Sequence, residues 1–157
     1  MPRKYESTEK FLRPDPRFGS KLIARFVNCV MTGGKKTTAQ SVVYDALDLL
    51  KKKIPEREPV DVFTDAINNV KPMVEVRSRR VGGATLQVPH EVKRSRQQSL
   101  AIRWILEGAR SKKGKPMCKR LAEELFDAFN KQGSAYTKRE NTHKMAEANE
   151  AFAHFAW

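Results

Sequence analysis

The chain reads as a mainly α protein, a six-helix bundle with one β-hairpin protruding between the third and fourth helices. Three observations predict this. Apolar residues recur at helical spacing in five separate stretches, and a capping box marks a sixth helix. Between the third and fourth stretches the period drops to two, on either side of Gly82-Gly83. Proline and glycine fall between the stretches, where chain direction must change. At 157 residues the length suits a single domain with a real core, so residues 1–157 are read as one unit.

Residues 1–19 have no sustained apolar period and contain Pro2, Pro14 and Pro16, which predicts an extended basic arm. Ser20 is a candidate N-cap for a first helix carrying Leu22, Ile23, Phe26, Val27, Val30 and Met31. Gly33-Gly34 ends it. The second helix turns Ala39, Val42, Val43, Ala46, Leu49 and Leu50 inward. Pro55 and Pro59 bracket a loop, and Val62, Phe63, Ala66, Ile67 and Val70 mark the third helix. The hairpin is expected at 73–89. Val74 and Val76 lie on one face, Glu75, Arg77 and Arg79 on the other, and Leu86 and Val88 are expected to match the apolar face. Leu100, Ala101, Trp104 and Ile105 mark the buried side of the fourth helix. Pro116 fits the first turn of a fifth, with Met117, Leu121, Leu125, Phe126 and Phe129 inward. Gly133 is expected to end it. Thr137 and Glu140 then read as the capping box of a sixth helix running toward Phe152.

Charge is the strongest compositional signal. Lys+Arg is 31 against 18 Asp+Glu, a formal net charge of +13. Residues 1–40 hold nine basic and three acidic residues, and residues 71–120 hold fourteen and three. The two other stretches, 41–70 and 121–157, each hold four basic and six acidic. The excess therefore lies in two regions, which a fold could join into one footprint for a polyanion. Nucleic acid is the expected partner. An anionic membrane surface is the alternative; no apolar run is long enough to cross a bilayer and the start of the chain has no apolar leader, so secretion and membrane insertion are not expected. Cys29 and Cys118 have no metal-ligand spacing and read as reduced core thiols.

The hairpin is the most specific candidate site. Arg77, Arg79 and Arg80 sit on a narrow ribbon beside a Gly-Gly turn, and a guanidinium fork matches phosphate and guanine edges. In the fourth helix Arg96, Arg103 and Arg110 are seven apart and share a face, drifting by about 20° per step. A plain solvated face is the alternative, but it would carry acidic partners, and here Glu107 stands alone after Glu91. Lys35 and Lys36 follow Gly33-Gly34 in a turn whose N–H groups and lysines could meet a phosphate. A Walker loop is excluded, since Cys29 occupies its first glycine position. Lys112-Lys113-Gly114-Lys115 is a basic loop, with Lys113 and Lys115 as further candidates.

Catalysis finds no foothold. His90, His143 and His154 have no mutual ligand spacing. Ser7 and Lys10 form an SxxK match in a polar arm without a pocket. Glu123 and Glu124 are adjacent on a helix and point apart. An RNA-modifying enzyme would need a cofactor loop or an acid–base pair. A helix-turn-helix DNA binder would concentrate its charge in one recognition helix.

The stretch PDPRFGSKLIARFVNCVMTGGKKTTAQSVVYDAL, residues 14–47, resembles the first signature of the bacterial-type small-subunit ribosomal protein seven family. VEVRSRRVGGATLQVPHEV, residues 74–92, is similar to its hairpin; LAIRW, 100–104, and KMAEANEAFAHF, 144–155, resemble its fourth and last helices. The resemblance implies a helical bundle with a protruding ribbon, no enzymatic activity and no cofactor. It implies direct binding to small-subunit rRNA in the 3′ major domain, nucleation of head assembly, and a position near the tRNA exit site in contact with tRNA and mRNA. Small-subunit ribosomal proteins nine and eleven are the implied neighbours, within a cytoplasmic ribosome, an organellar one staying open. By similarity Arg3, Lys4, Lys35, Lys36, Arg77, Arg79, Arg80, Arg94 and Arg96 touch RNA.

Overall fold

The computed structural model describes residues 11–155, and within them six α-helices and one hairpin appear in the expected order. Residues 1–10, with most of the expected arm, lie outside the described residues. The end of that arm is tied down. Asp15 is buried, accepts the N–H groups of Arg17 and Phe18 at 3.1 and 3.2 Å, and accepts the Tyr44 hydroxyl at 2.8 Å. Arg17 forks onto Asp48 at 2.8 and 3.1 Å. Both anchors stand on the second helix.

Helix α1 spans Lys21–Val30, and the Ser20 hydroxyl accepts the Ile23 N–H at 3.5 Å as its cap. Its buried face is Ile23, Ala24, Phe26 and Val27. Helix α2, Lys36–Lys53, buries Ala39, Val43, Ala46, Leu47 and Leu50, while Val42 and Leu49 stay at the rim. Lys51, Lys52 and Lys53 complement the carbonyl end of its dipole. Helix α3, Pro59–Val70, starts on its proline and buries all five predicted residues. Phe63 meets Phe26 edge-on at 5.1 Å, joining α3 to α1.

Strands β1, Val74–Val81, and β2, Ala84–Glu91, are joined by Gly82 and Gly83 at φ +58° and +89°. Both central residues of such a two-residue turn need positive φ, which glycine adopts freely. That turn corrects the expected faces. It pairs Val76 with Pro89, Arg77 with Val88 and Arg79 with Leu86. Odd positions therefore oppose even ones, and Leu86 and Val88 share a face with Glu75, Arg77 and Arg79, away from Val74 and Val76. On that shared face Val88 and Glu75 are buried.

Helix α4, Arg94–Ser111, and helix α5, Met117–Phe129, complete the core, with Pro116 as the N-cap residue one position before α5. Helix α5 packs on α2, α3 and α4. Helix α6, Gly133–Ala148, buries only Ala135 and Ala146. A 3-10 helix, Glu150–Phe155, follows it and packs on β2, so the long sixth helix expected to reach Phe152 stops short.

The start of α6 departs from expectation. Gly133 begins this helix, and Thr137 lies inside it with its hydroxyl donating to the Gly133 carbonyl at 2.9 Å. The cap comes from another helix. The wholly buried Glu124 of α5 accepts the Ser134 hydroxyl at 2.8 Å and the Ala135 N–H at 2.9 Å through Oε1. Lys112 Nζ sits 2.9 Å from its Oε2 and 3.2 Å from Asp127. Gly108 of α4 makes room, since a Cβ there would stand 2.3 Å from Ser134 Oγ and 2.7 Å from Glu124 Oε1. The cysteines are also corrected: both are free, Cys29 is exposed and Cys118 half-buried, so neither is a core thiol.

Candidate nucleic-acid interface

Helix α4 forms the spine of the site. Its 18 residues give a length of roughly 27 Å at 1.5 Å per residue. Trp104 is 7% exposed on the core side, while Arg94, Arg96, Arg103 and Arg110 are all exposed, as the spacing predicts. The single carboxylate of the helix, Glu107, is taken by Lys138 of α6 at 2.5 Å.

Beside the spine lies α1. Arg25, Cys29, Ser99, Arg103 and Arg110 line a groove of about 460 Å³ between the two helices. Arg25 donates to the Ser99 hydroxyl at 3.3 Å, and Arg110 reaches the Val30 carbonyl at 3.5 Å. The fold thus joins part of the N-terminal basic region to the central one. Sequence reading assigned Arg25 no role. The available signal was its spacing from Lys21, four residues earlier on one helix face.

At the hairpin base Arg77 and Arg96 converge on Glu75. Arg77 Nε donates to Glu75 Oε1 at 2.6 Å, and Arg96 Nε lies 2.9 and 2.8 Å from the two carboxylate oxygens. Burial alone would raise the Glu75 pKa, but hydrogen bonds from Arg96 and Arg77 outweigh it and hold the carboxyl below its ordinary range. Farther out on the ribbon, Arg79 donates to the Phe155 carbonyl at 3.1 Å, and Arg80 is exposed on the opposite face.

The remaining candidates lie toward the other end of α4. Lys35 and Lys36 are exposed at the start of α2. Lys113 is exposed in the loop, whereas Lys115 pairs with Glu123 at 2.5 Å. Lys112 turns from the basic loop onto α5, where it stays half-buried beside Glu124 and Asp127. Burial would lower its pKa, but Glu124 and Asp127 raise it on balance. Arg3 and Lys4 fall outside the described residues. Among the described residues no group of His, Cys, Asp and Glu is placed to hold a metal ion, and no helix is long and apolar enough to cross a membrane.

The sequence matches the family model described as Ribosomal protein S7p/S5e over residues 2–150. The chain belongs to the S7p/S5e family. It is 59% identical over 152 residues to a protein named small ribosomal subunit protein uS7 from Rhodopirellula baltica, covering 96% of this chain and 97% of that one. It is 54% identical to the protein of the same name from Pelagibacter ubique, with both chains fully covered. The Thermotoga maritima protein of that name is 53% identical over 99% of each chain. The S7p/S5e match spans every described element of the basic face, from Arg25 on α1 to Lys115 after α4. All but the first residue of the terminal 3-10 helix lies beyond it.

Proposed function

We propose that this S7p/S5e chain is a structural component of the small ribosomal subunit that binds the subunit's rRNA directly and catalyses nothing. The observation that carries the reading is the basic band, running from Arg77 and Arg96 at the hairpin base, along Arg103 and Arg110, with Arg25 alongside. Two of the carboxylates beside it, Glu75 and Glu107, are occupied by cations, and Glu91 lies at the hairpin base. Such a band follows a phosphate backbone, and a ribbon beside it enters a groove closed to a globular body.

The finer assignment extends this reading. The chain nucleates the head from the 3′ major domain and lies near the tRNA exit site, touching tRNA and mRNA, beside ribosomal proteins nine and eleven, in a cytoplasmic ribosome. The names of the relatives and the resemblance of the hairpin support it.

Salt titration tests the core of the proposal. With about six phosphate contacts, the slope of log affinity against log salt for an rRNA fragment is expected near −4 to −5. A slope near zero in filter binding would remove the phosphate footprint. The ribbon has its own test. Removing residues 79–86 and joining Ser78 to Gln87 through Asn-Gly keeps the observed register, in which these two residues are partners. The melt of the helical body is expected to hold. With Arg79 and Arg80 gone, the slope should flatten by about 2. A shortened protein that binds rRNA and assembles into subunits like its parent would deny the tip a role.

A further inference from the structure

In a protein of net charge +13 a carboxylate buried on the face of a polyanion-binding ribbon needs an explanation. Glu75 is 7% exposed. We infer that Glu75 is a positioning residue, holding Arg77 of the hairpin and Arg96 of α4 as a paired guanidinium cradle for one backbone phosphate. This rests on the rRNA-binding reading above.

The geometry supports it at three points. First, the two arginines come from different elements, and among the described residues the shared carboxylate joins their side chains. Without it two like charges would repel, and each long side chain would lose more rotamer freedom on binding. Second, the cradle has donors left. Glu75 engages Arg96 through Nε, and Arg77 through Nε and Nη2. Each guanidinium has five N–H groups, so both keep some for a second anion. The side chains stay 54% and 48% exposed, whereas that of Glu75 is 10% exposed. Third, the arginines open onto a recess of about 330 Å³, lined also by His90, Glu91, Lys93 and Ser95. Its cations, Arg77, Lys93 and Arg96, outnumber its one carboxylate, Glu91, even with Glu75 counted beside the two arginines, so the recess favours an anion.

A comparison of signs tests the role. Glu91→Gln removes one negative charge from the lining of the recess, and Glu75→Gln removes one from beside the two arginines that line it. Attraction at a distance alone makes both variants bind rRNA more tightly. Positioning separates them. Glu91→Gln is expected to match or exceed the parent, and Glu75→Gln to bind about tenfold more weakly, with the salt slope flatter by about 1. Far-UV circular dichroism and a thermal melt report whether Glu75→Gln is folded. Should it unfold, Arg96→Lys serves, since it keeps the charge and loses the fork, and the same direction of loss is expected. In a folded double variant the two losses should not add. Glu75→Gln binding as tightly as the parent, or Arg96→Lys at parental affinity, would overturn the positioning role. A parent chain that failed to bind rRNA would overturn the underlying reading instead.

Discussion

Glu124→Ala is expected to destabilise the protein by about 3–5 kcal/mol, the range for removing one member of a buried ion pair. The carboxylate is fully buried and serves three groups: the Ser134 hydroxyl, the Ala135 N–H and the Lys112 ammonium. Alanine leaves Lys112 with Asp127 alone and the first turn of α6 without its acceptor. The neighbouring Glu123 is the control. Its pair with Lys115 is at the surface, so Glu123→Ala is expected to cost no more than about 1 kcal/mol. Urea unfolding of the two variants measures the contrast. Acid should shrink it. Burial would raise the Glu124 pKa, but Lys112, the Ala135 N–H and Ser134 lower it on balance. A carboxyl whose folded pKa is depressed contributes stability above its unfolded pKa, and loses it as pH falls through the folded value. Parent and Glu124→Gln midpoints should therefore converge on acidification. Lys112 has the opposite sign. Its raised pKa contributes below the unfolded lysine value and is lost as pH rises through the folded one.

Trp104→Ala is expected to cost about 3–5 kcal/mol, as a large-to-small change at a packed site. Arg103→Ala, one residue away, should stay within about 0.5 kcal/mol of the parent and show its loss only in rRNA affinity. A helix turns by about 100° per residue, enough to carry position 104 from an exposed face into the core. Trp104 also holds Lys138 6.0 Å from its ring centroid, so its removal disturbs the seam between α4 and α6. Thermal melts with rRNA titrations separate the two effects. If Arg103→Ala melted lower than Trp104→Ala, the assignment of faces would be reversed.

The clearest sequence signals were those whose causes are local. Val62 to Val70 repeat an apolar stripe over consecutive turns, and all five predicted residues are buried. Gly82-Gly83 between two alternating runs named its own turn. The exposed stripe of Arg96, Arg103 and Arg110 followed from a period of seven. Features whose partners lie far along the chain were not readable. Glu124 was read only as one of two adjacent carboxylates that point apart, because its dependants Ser134 and Ala135 lie beyond the end of its helix. Asp15 looked like part of a loose arm because Tyr44 is 29 residues away. Arg77 and Arg96 were both read as RNA contacts, but the carboxylate they share across 21 residues of sequence was not. The misassigned hairpin face was a different kind of miss. The parity of a two-residue turn was present in the sequence and settles the register.

The acceptor at the start of α6 also bears on the order in which the chain acquires structure. Gly133 at the first position is a weak helix starter, and the Gln132 side chain makes no capping bond. With two small alanines as its buried residues, α6 gains little by folding alone. On a chain made from the N-terminus, Lys112 and Glu124 emerge before Ser134 and Ala135. The helix that closes the molecule thus nucleates against a surface already formed. Until then Glu124 and Lys112 are expected to stay hydrated, and to be desolvated as α6 docks.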